Sequence, residues 1–268
     1  MSNSSDYSEL GVEIEDMVAT VEIRRPPHNF FDRELIRQLA TAFEALDDDA
    51  SCRAIVLAAE GKSFCAGADL GDGDTLTFGQ QSEGDTKRYA AGDLYREAVR
   101  LFAVQKPIIG AIHGPAVGGG LGLAMVPDLR VACPESRFVA NFTKLGFHPG
   151  FGLTVTLPEL IGQSQAALMF YTSRRIKGEE ALSMGLADVL VPRDEVRATA
   201  HQLAREIAEC SPLGVMATRA NLRRGLADRV REATERELAA QTRLKATHDF
   251  KEGVAAMAER RLPNFEGR

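Results

Sequence analysis

The sequence predicts an α/β protein in which short buried strands alternate with helices. Residues 11 to 24 contain two apolar-polar alternations on either side of Glu15 and Asp16, a pattern typical of a β-hairpin. The runs AIVLAA (54–59) and IIGAI (108–112) are short and continuously apolar, as buried strands are. Helical patterns lie between and after these strands, which favours sheets covered by helices.

The elements follow one another in a recurring order. After Pro26 and Pro27, residues 33 to 47 place one apolar face of a helix at Leu35, Ile36, Leu39, Phe43 and Leu46. A second helical pattern includes Tyr95, Val99 and Phe102. The strand IIGAI is followed by a glycine turn at 118–120, a short helix through Met125 and a strand at 128–132.

Strand patterns end near Pro192, and the rest of the chain predicts helices at 194–209 and 212–259 that end before Pro263. We therefore expect a disordered N-terminal lead (1–10), an α/β core (11–192) and a helical C-terminal region (193–268). The apolar positions of that region predict packing on the core or on neighbouring subunits.

Composition excludes several classes of protein. The net charge of −6 argues against nucleic-acid binding, because such domains are normally basic. No apolar run approaches 18 residues, so we expect no membrane span, and the polar N-terminus does not resemble a signal peptide. The four cysteines are scattered without a CxxC pair, which predicts reduced thiols, no metal site and a cytoplasmic protein.

Two glycine-containing segments carry the candidate chemistry. GKSFCAGADL (61–70) directly follows a predicted strand, and the segment 106–129 contains a GGG turn that opens a short helix. Small residues at such turns let a ligand approach main-chain N–H groups closely. Each segment alone also fits a tight turn or a packing device. Neither has the spacing of a dinucleotide fingerprint or of a phosphate-binding loop.

Together and in this order, the two segments resemble the enoyl-CoA hydratase/isomerase (crotonase) family. The resemblance covers residues 11 to 268 and includes RRPPHNFFDREL (24–35), SRRIKGEEALSMGLADVLVP (173–192) and DFKEGVAAMAERRLPNF (249–265). It implies an α/β fold of the crotonase (ClpP-like) type, a spiral of ββα repeats. It also implies a helical C-terminal trimerisation region, and hence a homotrimer or a dimer of trimers.

The family's site residues can be carried over by position. The resemblance implies an oxyanion hole formed by the backbone N–H groups of Ala68 and Gly119. It implies coenzyme A as part of the substrate, with no tightly bound cofactor and no metal. The residues implied in coenzyme A binding are Pro27, His28, Ala66, Asp69, Leu70, Gly71 and, for a phosphate, Arg260.

The sequence departs from the family where the reaction is chosen. The two hydratase glutamate positions hold Gly122 and Phe142, and the acid position of some isomerases holds Gly150. All three are implied to line the acyl pocket, but none can transfer a proton. We therefore do not predict the two-glutamate hydratase reaction. The replacement at Gly122 and Phe142 suggests a bulky or aromatic acyl group.

Other groups could supply the acid or base. His148 lies in a segment that borders the acyl pocket in the family, and histidine titrates near neutrality. It also fits a loop histidine, His113 fits a structural role, and Asp69 fits a brace of its turn. The remaining candidates are acids of the segment 71–95 that also fit solvated loop charges: Asp72, Asp74, Glu83, Asp85 and Asp93.

Three functions stay open at this stage. The first is an acyl-CoA enzyme of the hydratase or isomerase type with a non-standard acid/base set. The second is a non-catalytic acyl-CoA-binding paralogue or partner subunit, and the third is an α/β scaffold without a coenzyme A site.

Overall fold

The computed structural model describes residues 7–68 and 91–268, and its strands form two sheets. In chain order the strands are β1 (Leu10–Glu15), β2 (Val18–Ile23), β3 (Ala54–Ala59), β4 (Ile108–Ile112), β5 (Pro115–Val117), β6 (Leu129–Ala132), β7 (Arg137–Val139), β8 (Arg175–Lys177) and β9 (Val189–Leu190). The large sheet has the order β1-β2-β3-β4-β6-β9, and the small sheet has the order β5-β7-β8.

The large sheet is parallel apart from its first strand. β1 and β2 form the predicted antiparallel hairpin, with Glu15 opposite Val18. The pairs β2-β3, β3-β4, β4-β6 and β6-β9 are all parallel. In the small sheet β5 is parallel to β7, and β7 is antiparallel to β8.

Ten helices lie within the described residues. They are α1 (Arg33–Asp48), α2 (Ala91–Ala103), α3 (Gly119–Ala124), α4 (Leu153–Ile161), α5 (Gln163–Thr172), α6 (Gly178–Ser183), α7 (Val196–Ala208), α8 (Pro212–Leu222), α9 (Leu226–Lys245) and α10 (His248–Ala258). The side chain of Asp32 caps α1 by accepting from the Leu35 N–H at 2.9 Å. The apolar face predicted for this helix is buried.

Helices cover both faces of the large sheet. Successive side chains of a strand point to opposite faces, so each strand contributes to the packing on both sides. On β3, Ile55 and Leu57 belong to the main core beneath α1 and α2, whereas Val56 and Ala58 pack against α7. This is the helix-covered α/β core that the sequence predicts. No helix within the described ranges is both long and apolar enough to cross a bilayer.

The C-terminal helical stretch is divided more finely than its composition suggests. Residues 212–259 form α8, α9 and α10. Gly225 separates the first two with a φ of 70°, and the Thr247 hydroxyl caps α10 by accepting from the Phe250 N–H at 3.2 Å. α10 ends at Ala258, before Pro263 as expected.

A half-buried carboxylate ties this helical region to the core. Asp128, just before β6, accepts from Arg219 at 2.8 Å and from Arg223 at 2.7 Å. Burial alone would raise the pKa of Asp128, but the charges and hydrogen bonds of the two arginines lower it. The carboxylate therefore stays charged and anchors α8 beside the strand.

Candidate active site

Two main-chain segments are held side by side at the ends of β3 and β5. The Cys65 N–H donates to the Pro115 carbonyl at 3.1 Å, and the Val117 N–H donates to the Cys65 carbonyl at 3.0 Å. These bonds form a parallel bridge between Cys65 and Ala116. The two predicted oxyanion residues follow this bridge, each within three residues of it, so the pairing brings them to the same place.

Glycine is required where the two segments approach each other. Gly67 has a φ of 88°, and a Cβ built on it would lie 2.7 Å from the Val117 carbonyl oxygen. The same Cβ would lie 3.7 Å from the Gly119 nitrogen. A Cβ on Gly120 would lie 2.0 Å from the Cys65 carbonyl oxygen. A side chain at any of these positions would force the segments apart.

Gly119 occupies the first position of α3, where a helix offers its N–H group no intrahelical acceptor. The preceding Gly118 donates its own N–H to the Val139 carbonyl at 2.8 Å, which fixes the turn against β7. The Phe31 ring packs directly against Gly119: a Cβ built on Gly119 would lie 2.3 Å from it. The Gly119 amide is thus held in place from both sides.

Ala68 and Gly119 line one cavity. Its described lining consists of Phe31, Ala66, Gly67, Ala68, Leu94, Tyr95, Val117, Gly118, Gly119, Asn141, Phe142, Leu145, Phe147, Gly150, Phe151 and Gln241. Four phenylalanines make much of the wall, and the Phe31 and Phe151 rings meet edge to face with centroids 5.8 Å apart. The cavity therefore combines a main-chain side with an aromatic side.

A buried polar pair closes the aromatic side. The Tyr95 hydroxyl donates to Gln241 Oε1 at 2.7 Å, and Gln241 Nε2 donates to the His148 carbonyl at 3.0 Å. Burial, reinforced by the charge of Glu237, raises the pKa of Tyr95 far above its usual value. Tyr95 is therefore a neutral hydrogen-bonding group and does not act as a base at neutral pH.

Glu237 itself holds the start of α4. Its carboxylate accepts from the Gly152 N–H at 2.8 Å, from the Thr154 N–H at 2.9 Å and from the Thr154 hydroxyl at 2.6 Å. A carboxylate at this end of a helix is stabilised by the free amides there. Together with Gln241, it fastens residues 148–154 to α9.

Of the three positions where the resemblance implies an acid, the two glycines abut neighbouring side chains. A Cβ on Gly150 would lie 2.1 Å from the Tyr95 hydroxyl oxygen, and a Cβ on Gly122 would lie 2.6 Å from Phe151 Cβ. Phe142 and Gly150 line the cavity. Gly122 is not part of the described lining, because Phe151 covers it.

The predicted histidines take up other positions. His148 is not among the described residues that line the cavity. Its Nδ1 lies 2.7 Å from the Pro149 carbonyl oxygen. His113 Nε2 lies 3.2 Å from the Gly61 carbonyl oxygen, and burial lowers the pKa of its ring. Asp93 forms an ion pair with Arg96 at 2.8 Å on α2.

Of the residues predicted to bind coenzyme A, Ala66 lines the cavity and the others lie elsewhere. Pro27 accepts from the Lys62 N–H at 2.8 Å, and His28 accepts from the Ala66 N–H at 3.0 Å through its carbonyl. This pairing places both residues against the segment that leads to Ala68. Arg260 is exposed just after α10. Several predicted residues lie outside the described residues: Asp69, Leu70, Gly71, Asp72, Asp74, Glu83 and Asp85.

Sequence reasoning missed five residues of the lining that shape its chemistry: Phe31, Tyr95, Asn141, Phe151 and Gln241. The sequence pattern indicates only that Tyr95 lies on one face of a helix. Gln241 comes from a helix more than a hundred residues further along the chain. Neither position has a local motif. Across residues 7–68 and 91–268, no group of histidine, cysteine, aspartate and glutamate side chains is arranged to hold a metal ion.

Comparison with known proteins agrees with this architecture. A family model described as enoyl-CoA hydratase/isomerase matches residues 13–268. A crotonyl-CoA hydratase of Syntrophomonas wolfei is 32% identical over 262 residues, which are 97% of this chain and 98% of that protein. A 2,3-dehydroadipyl-CoA hydratase of Escherichia coli is 32% identical over 262 residues, which are 97% of this chain and 100% of that protein.

A solved structure extends the agreement to three dimensions. The crystal structure of an enoyl-CoA hydratase/isomerase from Pseudoalteromonas atlantica superimposes with a TM-score of 0.82 at 30% identity, covering 97% of this chain and 100% of that one. The fold is therefore the crotonase fold, and the chain belongs to the enoyl-CoA hydratase/isomerase family.

Proposed function

We propose that the chain is an enzyme that binds an acyl-CoA thioester and stabilises its enolate through the backbone N–H groups of Ala68 and Gly119. The observation that carries this proposal is the close pairing of the two glycine-containing segments, which puts both residues on one cavity. Membership of the family supports an acyl-CoA as the substrate.

The proposed chemistry follows from where charge develops. When a base removes the α-proton of a thioester, or a nucleophile attacks the β-carbon of an enoyl thioester, negative charge accumulates on the thioester oxygen. Two amides fixed by the fold can donate to that oxygen without reorganising during the reaction. One such donor typically contributes about 10²–10³ in rate. Hydration, isomerisation, hydrolysis and decarboxylation all share this step.

The acid/base set is proposed to differ from a pair of glutamates. Gly122 is covered by Phe151, and Phe142 presents a ring to the cavity, so neither position can supply a proton. His148 would need to bring its ring to the cavity to act, and the other acidic candidates of 69–90 fall outside the described residues. An apolar acyl group suits the phenylalanine wall.

Coenzyme A is proposed to enter along the segment that leads to Ala68. Pro27, His28 and Ala66 lie there, and Asp69, Leu70 and Gly71 continue that segment in the sequence. Arg260 would contact a coenzyme A phosphate, across a subunit boundary if the chain assembles as a homotrimer or a dimer of trimers. The exposed Leu213 and Leu222 on α8 support such an assembly.

A non-catalytic acyl-CoA-binding protein is the second candidate. The glycines at 122 and 150 favour it, since they carry no acid and any side chain there would clash with Phe151 or Tyr95. Such a protein would bind the thioester through the same two backbone amides but would not transfer a proton.

Calorimetry and a turnover screen separate these functions. We expect the protein to bind crotonyl-CoA and to convert at least one thioester of a panel comprising 2-enoyl-, 3-enoyl-, 3-hydroxyacyl- and malonyl-CoA. Binding without turnover would favour the non-catalytic protein. Failure to bind any of these thioesters would refute the proposal.

A further inference from the structure

The described cavity lining contains three polar side chains: Tyr95, Asn141 and Gln241. Tyr95 and Gln241 bond to each other, and Gln241 also donates to the His148 carbonyl. Asn141 differs from them. Its carboxamide makes no hydrogen bond to any residue of 7–68 or 91–268, although it borders an apolar wall.

The fold places Asn141 next to the predicted oxyanion hole. β5 and β7 pair in parallel with Val117 opposite Val139, and the Gly118 N–H extends this pairing to the Val139 carbonyl. Asn141 follows two residues later. Its Oδ1 lies 3.1 Å from the position that a Cβ would take on Gly118, the residue that precedes the Gly119 amide.

A carboxamide at this position can donate a hydrogen bond but cannot transfer a proton as a general acid or base. Asn141 is half-buried, and its carboxamide borders the same cavity as the Gly119 amide. A ligand oxygen that accepts from the Gly119 amide could therefore also accept from the carboxamide. The carboxamide can present Nδ2 in place of Oδ1 by turning about its terminal bond.

We propose that Asn141 is a catalytic residue that donates a side-chain hydrogen bond to the thioester oxygen, as a third donor beside the Ala68 and Gly119 amides. This inference rests on the proposed function. It gives the site a side-chain component whose effect grows as charge develops on that oxygen.

The test compares two ligands that differ in their ability to present an enolate. Acetoacetyl-CoA forms an enolate that absorbs in the ultraviolet, whereas free coenzyme A lacks the thioester. Binding of both is measured by calorimetry, and the bound enolate by difference absorbance, for the wild type and for Asn141→Leu and Asn141→Asp. Gln202→Leu, at an exposed position of α7, is the control.

We expect Asn141→Leu to weaken acetoacetyl-CoA binding about tenfold or more, as befits loss of a hydrogen bond to a charged group. Asn141→Asp should weaken it further, because a carboxylate repels the enolate. Binding of free coenzyme A should stay within about twofold for both variants, and Gln202→Leu should match the wild type for both ligands. A thermal melt of each variant verifies that it is folded.

Several results would overturn the inference. Wild-type affinity of Asn141→Leu for acetoacetyl-CoA would show that the carboxamide does not contact the oxygen. Equal losses for both ligands would assign Asn141 to the fold or to the coenzyme A contact, and tighter binding by Asn141→Asp would show that it accepts a hydrogen bond. If the wild type binds neither ligand, the proposed function fails together with the inference. If the wild type binds both ligands and only the results for the Asn141 variants disagree, the inference alone fails.

Discussion

The two ends of the cavity are formed by different parts of the chain, one by main-chain groups and the other by side chains. The end at Ala68 and Gly119 consists of main chain, held by strand-like bonds between Cys65 and its neighbours on β5. The opposite end, called the acyl end because we propose that the acyl group binds there, consists of side chains from distant elements, with Tyr95 on α2 and Gln241 on α9. In the proposed function, the main-chain end would bind the thioester and the side-chain end would act on the acyl group.

The main-chain end is insensitive to side-chain identity but intolerant of added atoms. Its donors are amides, which nearly every residue provides, while its close contacts leave no space for a Cβ at Gly67 or Gly120. The acyl end has the opposite property. There the side chains decide which chemistry is available, and Phe151 and Tyr95 occupy the space that carboxylates would need.

Removing one main-chain donor should have the largest effect. Because a Cβ on Gly119 would meet the Phe31 ring, both variants are made in a Phe31→Ala background. Gly119→Ala keeps the N–H group, whereas Gly119→Pro removes it at a helix position that accepts proline. We expect kcat/KM for the converted thioester to be about 10²–10³ lower for the proline variant than for the alanine variant. Equal rates would contradict a role for this amide.

Adding one carbon to the main-chain end should lower stability. Gly120→Ala places its Cβ against the Cys65 carbonyl, and such overpacking costs about 1–3 kcal/mol. The melting temperature should fall by roughly 2–12 °C. Gly214→Ala is the matched control, because its Cβ would meet nothing closer than 3.5 Å and α8 favours alanine there. A wild-type melting temperature for Gly120→Ala would contradict the tight approach.

The main-chain end could be predicted from the sequence because its requirements are local. Small residues must follow the strands at 54–59 and 108–112, and FCAGAD and GGG show them directly. The helix α1 and the hairpin β1-β2 were equally accessible, since their apolar periodicity lies within a few residues.

The acyl end could not be predicted in the same way. Gln241 reaches the cavity from α9, 146 residues from its partner Tyr95, and no local pattern records that contact. Sequence reasoning identified Gly122 as lacking an acid but could not show that Phe151 fills the space. The subdivision of 212–259 was missed because Gly225 and Thr247 lie within composition that favours helix throughout.

The packing of Phe151 on Gly122 can be tested with a double-mutant cycle. Gly122→Ala should clash with the phenylalanine, and Phe151→Gly should remove every clashing atom at a position whose φ of 65° suits glycine. We expect the two changes in the free energy of unfolding to be non-additive by about 0.5–3 kcal/mol, with the double variant more stable than their sum. Denaturant unfolding measures this, and additive energies would show that the two residues do not compete for the space.

The smallest effect is expected from the hydroxyl of Tyr95. Tyr95→Phe removes the donor to Gln241 Oε1 and should lower the free energy of unfolding by about 1 kcal/mol. Tyr171→Phe is the matched control, because the Tyr171 side chain is exposed and its hydroxyl should not matter. Since burial raises the pKa of Tyr95, its neutral form persists, and the difference should be constant between about pH 6 and 9. A difference that grows toward the upper end of this range would mean that the phenol loses its proton more readily in the folded than in the unfolded protein. The acyl end would then hold the titratable group that its other positions lack.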